Sequence, residues 1–371
     1  MSGEVVVIPR PGETLLVNRK NLKAVMLPPG MEAPFRSAMG EGSSRPSPWI
    51  AKAMKAVVLE PSYGTNWADA LIVRDRAEAD FRRVAWEITE RCNLRCAHCY
   101  LGVRTQKGLP LDERLAVLDK LERLGCLWLQ LTGGEALADP LFEQTYRAAW
   151  ERGLMISVST NGVLLSRWID LFRDCPPRRV TFSLYGASDA SYAELTDAPS
   201  GTLEKLLNGL DAALASNIRL RASIIATKTN AHEIGAMETL LDERGVERHT
   251  YSNLIPTVRG DDGPMALETD LNCQGDKLEK SDGCAGGSLA LHVHVSGRAS
   301  PCKLLPHVSV DLQSENPAKI KQLALHAGTK PATPNCHGCQ NAKSCTTCAP
   351  IVGLYKNVGR LPRRVCGYGA A

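Results

Sequence analysis

The sequence predicts an α/β protein built around a partial (β/α)6 barrel of the TIM type. The first observation is an alternation of strand-like and helix-like segments between Arg83 and Asn253. The second is that the helix-like segments carry apolar residues at spacings of three and four. Strand, helix and strand in repetition specify a parallel sheet with helices outside it, and five or six such units suit an incomplete barrel.

The elements of this barrel follow in chain order. The predicted strands are Val84–Thr89, Leu127–Leu131, Met155–Ser159, Arg179–Leu184, Leu220–Ala226 and Arg248–Asn253. The predicted helices are Leu111–Leu124, Pro140–Arg152, Thr202–Ala215 and Ala231–Glu243. Active sites on such barrels lie at the carboxyl ends of the strands, so the residues after each strand are the first candidates for function.

Two attachments flank the predicted barrel domain, residues 81–265. Residues 1–80 alternate apolar and polar positions before a Gly-, Ser- and Pro-rich stretch, which predicts a small β-rich extension. Residues 266–371 lose periodicity and hold eight of the thirteen cysteines, so we expect a loop-rich, cysteine-rich domain ordered by bound metal.

The charge and hydropathy of the chain exclude several classes of partner. A net charge of +4 over 371 residues is mild, and the basic residues are scattered, so we expect no nucleic acid partner. No apolar run has the roughly 20 residues that a membrane helix needs, and the first residues lack an export signal, so we expect no membrane partner and a cytoplasmic location. Clustered cysteines in a reducing cytoplasm indicate metal ligands.

The first cysteine cluster follows the first predicted strand. Cys92, Cys96 and Cys99 stand at spacings of four and three residues, so their thiols can converge on one side of a loop. Three cysteines suit an iron–sulfur cubane whose fourth iron is open to a small molecule, whereas a structural zinc site takes four ligands. A zinc knuckle that borrows His98 is the alternative.

The CxxxCxxC motif after the first strand resembles the radical SAM superfamily. Three further segments are similar to that family at later strand ends, in the family's order: the run 131–135 ending in Gly133, Gly134 and Glu135, the segment 159–162 with Ser159 and Asn161, and the segment 183–186 beginning at Ser183. The resemblance spans about residues 83–260. It implies a SAM-binding [4Fe-4S] cluster on Cys92, Cys96 and Cys99 that reductively cleaves S-adenosylmethionine.

The same resemblance implies roles for single residues near the cofactor. The Gly-Gly-Glu segment would bind the methionine amine, and the segments at Ser159 and Ser183 would contact its carboxylate or the ribose. His98 stands where the family has an aromatic residue near adenine. Ile255 is similar to an adenine-wall position, although a plain core isoleucine explains it equally well.

The later cysteines resemble the seven-cysteine SPASM domain of radical SAM peptide maturases, which holds two auxiliary [4Fe-4S] clusters. The family's ligation would give one cluster Cys284, Cys302 and Cys348, with Cys273 as the fourth ligand, and the other Cys336, Cys339, Cys345 and Cys366. Cys273 stands outside the seven-cysteine pattern, and without it the first auxiliary cluster would be open to substrate. A pair of zinc ribbons is the alternative.

The resemblance favours a ribosomally made precursor peptide as the substrate of an oxidative modification. It also implies an electron donor such as flavodoxin or ferredoxin. An enzyme acting on a sugar, amino acid or nucleoside remains the alternative, and a non-catalytic electron carrier is the third class. Residues 1–80 are either a leader-peptide recognition element or a packing extension without clear helices after its strands.

The candidates for a base that acts on substrate are four. His292 and His294 are two residues apart and therefore lie on the same face of a predicted strand. Asp261 and Asp262 lie in a loop after the sixth strand. In the sulfatase-maturing branch an aspartate base follows the equivalent of Cys302, but here that residue is Lys303. We therefore do not expect sulfatase maturation.

Overall fold

The structure is a computed structural model, and it describes residues 3–10, 12–40, 46–57, 71–102, 104–269, 285–322 and 348–360. Two sheets organise this part of the chain. The strands of a four-stranded sheet lie between Val5 and Val73, and the strands of a nine-stranded sheet lie between Arg83 and Asp311. None of the helices in the described ranges combines the length and apolar character needed to cross a bilayer.

The small sheet has the strand order β3-β2-β1-β4. Its strands are β1 (Val5–Arg10), β2 (Glu13–Asn18), β3 (Ala24–Leu27) and β4 (Leu71–Val73). The first three are antiparallel neighbours, and β4 pairs parallel with β1. The sheet confirms the predicted β-rich extension.

Two helices follow β3, contrary to the expectation that the extension lacks them. They are α1 (Glu32–Gly40) and α2 (Pro48–Val57). In α2, Pro48 occupies the first helical turn, where its missing N–H costs nothing, and Ile50, Ala53 and Val57 are buried against the sheet. These helices are short and separated by glycines, serines and prolines, which hides their periodicity in the sequence.

The large sheet contains six consecutive parallel strands with the order β10-β9-β8-β7-β6-β5, continued by β11, β12 and β13. The parallel strands are β5 (Arg83–Thr89), β6 (Trp128–Gly133), β7 (Met155–Thr160), β8 (Arg179–Leu184), β9 (Leu220–Ile225) and β10 (Glu247–Tyr251). The helices between them are α3 (Leu111–Arg123), α4 (Phe142–Glu151), α5 (Ile169–Asp174), α6 (Asp189–Thr196), α7 (Thr202–Ala215) and α8 (Ile234–Asp242).

This order confirms the predicted α/β fold with an open barrel, because β10 and β13 lie at opposite ends of the sheet. The predicted strand Arg179–Leu184 and helix Thr202–Ala215 have the observed bounds. The predicted helix 231–243 divides into a 3₁₀ turn at Ala231–Glu233 and α8. The short helices α5 and α6 were not predicted, because six and eight residues give too little periodicity to recognise.

The later strands extend the sheet on the side of β5, and two helices follow them. They are β11 (Ala290–Val293), β12 (Arg298–Ser300), β13 (Val310–Asp311), α9 (Pro317–Gln322) and α10 (Ala349–Asn357). Strand β11 pairs parallel with β5, and β12 and β13 are antiparallel additions. The hydroxyl of Tyr355 in α10 donates a hydrogen bond of 2.7 Å to the carbonyl of Leu254, which attaches this helix to the end of the barrel.

The small sheet packs against the amino ends of the barrel strands. Val6 and Val17 form one buried cluster with Leu127, which precedes β6, and Met155, which begins β7. The guanidinium of Arg19 lies 3.7 Å from the ring centroid of Trp150. The carboxyl ends of the strands, where we expect the site, are at the opposite edge of the barrel.

Candidate functional site

The loop after β5 carries the three cysteines of the first cluster. The register between β5 and β6 shifts between Glu87 and Thr89, just before this loop begins. Cys92, Cys96 and Cys99 are all half-buried. Burial raises the pKa of Cys96 to about 12. The negative charges that Cys92 and Cys99 would carry as thiolates contribute to the same increase. The three thiols are thus close enough to interact electrostatically.

The residues around the thiols fit an iron–sulfur cluster. Among the described residues, no three donor atoms that include these thiols or His98 lie within 4.8 Å of one another, as the donors to a single metal ion would. A cubane binds each thiolate on a different iron and therefore holds them further apart than one ion does. The N–H of Leu94 points at Sγ of Cys92 from 3.4 Å, a contact that stabilises a thiolate.

The Gly-Gly-Glu segment after β6 lies directly against the cysteine loop. The N–H of Gly134 donates to the Thr89 carbonyl at 2.8 Å, and the N–H of Glu135 donates to the Arg91 carbonyl at 2.7 Å. A Cβ on Gly133 would stand 2.1 Å from the Thr89 oxygen, and one on Gly134 would stand 2.4 Å from the Arg91 oxygen. The two glycines thus allow their segment to approach the backbone at the start of the cysteine loop.

Glu135 is buried and connects the ends of β6 and β7. Its carboxylate accepts hydrogen bonds from the Thr160 hydroxyl at 2.6 Å, the Asn161 N–H at 2.6 Å and the Leu137 N–H at 2.9 Å. Burial raises the pKa of this carboxyl, and the three donors oppose that effect. Glu135 acts on the site by positioning its neighbours, and its predicted contact with SAM stays a prediction.

The segment after β7 also reaches the cysteine loop. The amide of Asn161 donates to the side-chain oxygen of Asn93 at 2.8 Å and lies 3.9 Å from Sγ of Cys92. Ser159 is half-buried and accepts a hydrogen bond of 2.6 Å from the amide of Gln130. Asn161 is therefore next to the cysteine loop, while Ser159 lies two residues earlier, on β7.

An aromatic side chain directly after β8, Tyr185, packs against the cysteine loop. The ring of His98 packs on Tyr185 with a centroid distance of 5.1 Å. Burial lowers the pKa of His98 to about 4, so its imidazole is neutral at physiological pH. Ser183 lies on β8, two residues before Tyr185. Ile255 is half-buried in the segment after β10, and its role as an adenine wall stays a prediction.

Two of the predicted auxiliary-cluster ligands fall within the described residues. Cys302 is half-buried two residues after β12, and Cys348 is half-buried at the start of α10. The predicted ligands outside the described residues are Cys273, Cys284, Cys336, Cys339, Cys345 and Cys366. The auxiliary clusters therefore stay a prediction.

A cavity of about 280 Å³ opens beside the cysteine loop. Its lining includes Glu87 from β5, Tyr100 after the third cysteine, His294 and Lys303. The ammonium of Lys303 lies 3.8 Å from the ring centroid of Tyr100. Sequence reasoning selected His294 as a candidate base but missed Glu87 and Tyr100, and the alternation of β5 was the signal that would have placed Glu87 inside the barrel.

The two loop aspartates do not line this cavity. Asp261 accepts a hydrogen bond of 2.7 Å from the N–H of Gly263, which is a local turn contact. Asp262 lies 3.6 Å from the guanidinium of Arg360. Of the four candidate bases, the structure therefore brings only His294 to the cavity, and His292 is buried two residues before it.

Comparison with known proteins finds a family match for the central part of the chain. Residues 86–240 match the radical SAM superfamily. The AdoMet-dependent heme synthase of Methanosarcina barkeri is 30% identical over 194 residues, covering 51% of this chain and 55% of that protein. The GTP 3′,8-cyclase of Rhodobacter capsulatus is 33% identical over 168 residues, covering 43% and 48%. The chain thus spans about half the length of these curated relatives.

A solved structure resembles the chain over a greater length. Streptococcus suis SuiB bound to precursor peptide SuiA has a TM-score of 0.59 and 13% sequence identity, and the match covers 93% of this chain and 94% of that one. At this identity the likeness shows the fold alone.

Proposed function

We propose that this chain, whose residues 86–240 form a radical SAM domain, reductively cleaves S-adenosylmethionine and oxidatively modifies a ribosomally made precursor peptide. The observation that carries the proposal is that the ends of β6 and β7 converge on the cysteine loop, which follows β5. Gly134 and Glu135 donate backbone hydrogen bonds to that loop, and Asn161 contacts Cys92.

The residues of the site would divide the work of cofactor binding. Cys92, Cys96 and Cys99 would hold the [4Fe-4S] cluster. When bound, the cluster supplies the electron that breaks the bond between the sulfonium and C5′ of SAM. The neutral ring of His98, fixed against Tyr185, offers an uncharged surface for adenine. Glu135 holds the backbone of the neighbouring segments in place.

The peptide part of the proposal is supported by the small sheet. Among the described residues, strand β3 is an edge strand that pairs with β2 alone, and Met26 on it is 70% exposed. An extended peptide can add to such an edge through main-chain hydrogen bonds. The structure of SuiB was obtained with its precursor peptide, and the fold match includes 93% of this chain. We propose that β3 binds the leader of the precursor.

A direct test is to incubate the reconstituted enzyme with SAM, dithionite and the product of a short open reading frame beside its gene. We expect a mass change in the core of that peptide. Met26→Glu should weaken binding of the fluorescently labelled peptide, because the charge opposes strand addition. Tyr251→Glu is the matched control, since Tyr251 is exposed on the other edge strand, β10. Equal effects of the two substitutions would contradict leader binding at β3.

A small-molecule substrate is the second candidate. Curated relatives at 30% identity or more include a heme synthase and GTP 3′,8-cyclases, which are named for small molecules. Arg259, Arg298 and Lys303 line the cavity beside the cysteine loop and suit an anionic ligand. Conversion of a sugar, amino acid or nucleoside without any change in peptide mass would favour this candidate.

We also propose that the later cysteines hold two auxiliary [4Fe-4S] clusters and that flavodoxin or ferredoxin donates the electron. Three clusters correspond to about 12 iron atoms per chain, and one cluster corresponds to about 4. Iron and sulfide analysis of the anaerobically reconstituted chain distinguishes them. A content of about 4 would contradict the auxiliary clusters and leave the first cluster intact.

A further inference from the structure

Two histidines and a glutamate lie together on neighbouring strands of the barrel. Strand β11 pairs parallel with β5, and His292 is opposite Ala85. Two residues further along the same register, His294 comes beside Glu87. Because side chains alternate across a strand, all three functional side chains project from one face of the sheet. One donor atom from each lies within 4.8 Å of the other two.

The more deeply buried histidine, His292, has one ring nitrogen without a hydrogen bond in the described part of the chain. His292 is 5% exposed, and its Nε2 is buried without a hydrogen-bond partner among the described residues. This atom lies 3.4 Å from Oε1 of Glu87. Burying a polar atom without a hydrogen bond reduces folding stability unless another group, such as a bound ion, interacts with it. The position of the atom, close to a carboxylate oxygen, suits a shared cation.

The second histidine is held in a defined tautomer. The Ser300 hydroxyl donates its one proton to the Cys302 carbonyl at 2.8 Å. Nε2 of His294 lies 2.8 Å from that same hydroxyl oxygen, so the imidazole must be the donor of this contact. The proton is therefore on Nε2, and Nδ1 keeps its lone pair. Ligating histidines in metal sites are oriented in this way through their second nitrogen.

We propose that Glu87, His292 and His294 form a binding site for a divalent first-row transition-metal ion, separate from the iron–sulfur clusters. Two imidazoles and one carboxylate are a donor set that such ions accept while keeping further positions open. Glu87 and His294 line the cavity of about 280 Å³, so the open positions face it. An oxygen atom of a ligand in the cavity would complete the coordination.

The charges around the three residues are compatible with this site. Burial raises the pKa of Glu87, but the adjacent His292 ring, His294 and Lys303 outweigh it, so the pKa is lowered overall. Burial also lowers the pKa of His294 to about 4. Metal binding takes a carboxylate and neutral imidazoles as donors, and these are the groups that the three residues supply.

The probe for this site is Mn²⁺ alone, added to the cluster-loaded chain with its clusters in the oxidised, EPR-silent state. Free Mn²⁺ gives a six-line EPR signal that is lost on binding, and thiolates are poor ligands for it. We expect about one Mn²⁺ per chain. Glu87→Gln and His294→Ala should each weaken binding by about 10-fold or more. His307→Ala is the matched control, because His307 is exposed in the same region.

Ser300→Ala is a further variant that keeps all three proposed ligands, so its effect does not depend on removing a ligand side chain. It removes the two contacts of one hydroxyl, with His294 and with the Cys302 carbonyl, and keeps all three ligands, so we expect a smaller loss of Mn²⁺ affinity than for His294→Ala. Failure of the wild-type chain to bind Mn²⁺, or equal binding by wild type, Glu87→Gln and His294→Ala, would overturn the site. The measurement needs neither SAM nor substrate, so it is independent of the proposed function.

Discussion

His98 shows how one side chain combines packing with a fixed charge state. Its ring packs on Tyr185, and burial lowers the pKa from 6.5 to about 4. Below pH 6.5 the unfolded chain takes up a proton that the folded chain does not, so folding stability falls as the pH drops from 6.5 towards 4. A neutral imidazole at physiological pH follows from burial alone.

This linkage gives a pH prediction. His98→Phe keeps an aromatic ring but removes the titration, so the variant should lose less stability than the wild type between pH 7 and pH 5. The difference should be about 1 kcal/mol, allowing for the half-buried position. Urea unfolding of the reconstituted chain at the two pH values measures it. His307→Phe, at an exposed position, should leave the pH dependence unchanged.

At the same scale, the sequence identified the residue types of the site but not all their contacts. The spacing of the three cysteines was sufficient to predict their shared loop. Glu135 was predicted to act at the cofactor, yet its carboxylate accepts three protein hydrogen bonds. Those partners come from β7 and from the turn after Glu135, and a contact between separate strands leaves no local pattern in the sequence.

At the scale of elements, the join between β6 and the cysteine loop depends on glycine. A Cβ on Gly134 would lie 2.4 Å from two carbonyl oxygens of the loop after β5. Gly134→Ala should therefore destabilise the chain by about 2 kcal/mol or more and reduce its cluster content. Thermal unfolding and iron analysis measure the two effects.

The control for that substitution is a glycine within a helix. Gly235 lies in α8, and a Cβ there would have nothing within 4 Å. Gly235→Ala should leave cluster content unchanged and stabilise the helix by about 0.5–1 kcal/mol. Equal destabilisation by both substitutions would contradict the role given to Gly134.

The attachment of α3 to the barrel depends on a buried ion pair. The Arg114 guanidinium donates to both carboxylate oxygens of Asp139, at 2.8 and 3.0 Å, and both side chains are buried. Asp139→Ala would leave the guanidinium buried without its counter-ion, so we expect a loss of about 3–5 kcal/mol in unfolding free energy.

The exposed pair of Arg147 with Glu143 provides the comparison for that substitution. Glu143→Ala should cost less than about 1 kcal/mol, because water screens exposed pairs. Both values come from denaturant unfolding of the same chain. A cost for Asp139→Ala as small as that for Glu143→Ala would show that the buried pair does not hold α3 in place.

The sequence was most informative about elements with strong periodicity. Strand β8 and helix α7 have the predicted bounds, because each is buried on a regular face. The parallel pairing of β11 with β5 was not predicted, since the strands are about two hundred residues apart and pairing across that distance has no local signal. That pairing is what brings His292 and His294 to Glu87.

At the scale of the whole molecule, the predicted radical SAM resemblance is confirmed, and the substrate is the part that the sequence leaves open. The barrel places the cysteine loop at the carboxyl ends of its strands, and the small sheet packs at the amino ends. A leader bound at β3 would therefore have to pass along the barrel before its core reaches the cavity. This distance suits a peptide with separate recognition and reacting segments.

The most direct test of the account is SAM cleavage by the anaerobically reconstituted chain with dithionite. We expect 5′-deoxyadenosine from the wild type and none from the variant in which Cys92, Cys96 and Cys99 are all alanine. A variant in which Cys126 and Cys175 are alanine is the control, since these buried thiols lie outside the cysteine loop. Formation of 5′-deoxyadenosine by the triple variant at the wild-type rate would contradict the assignment of the cluster.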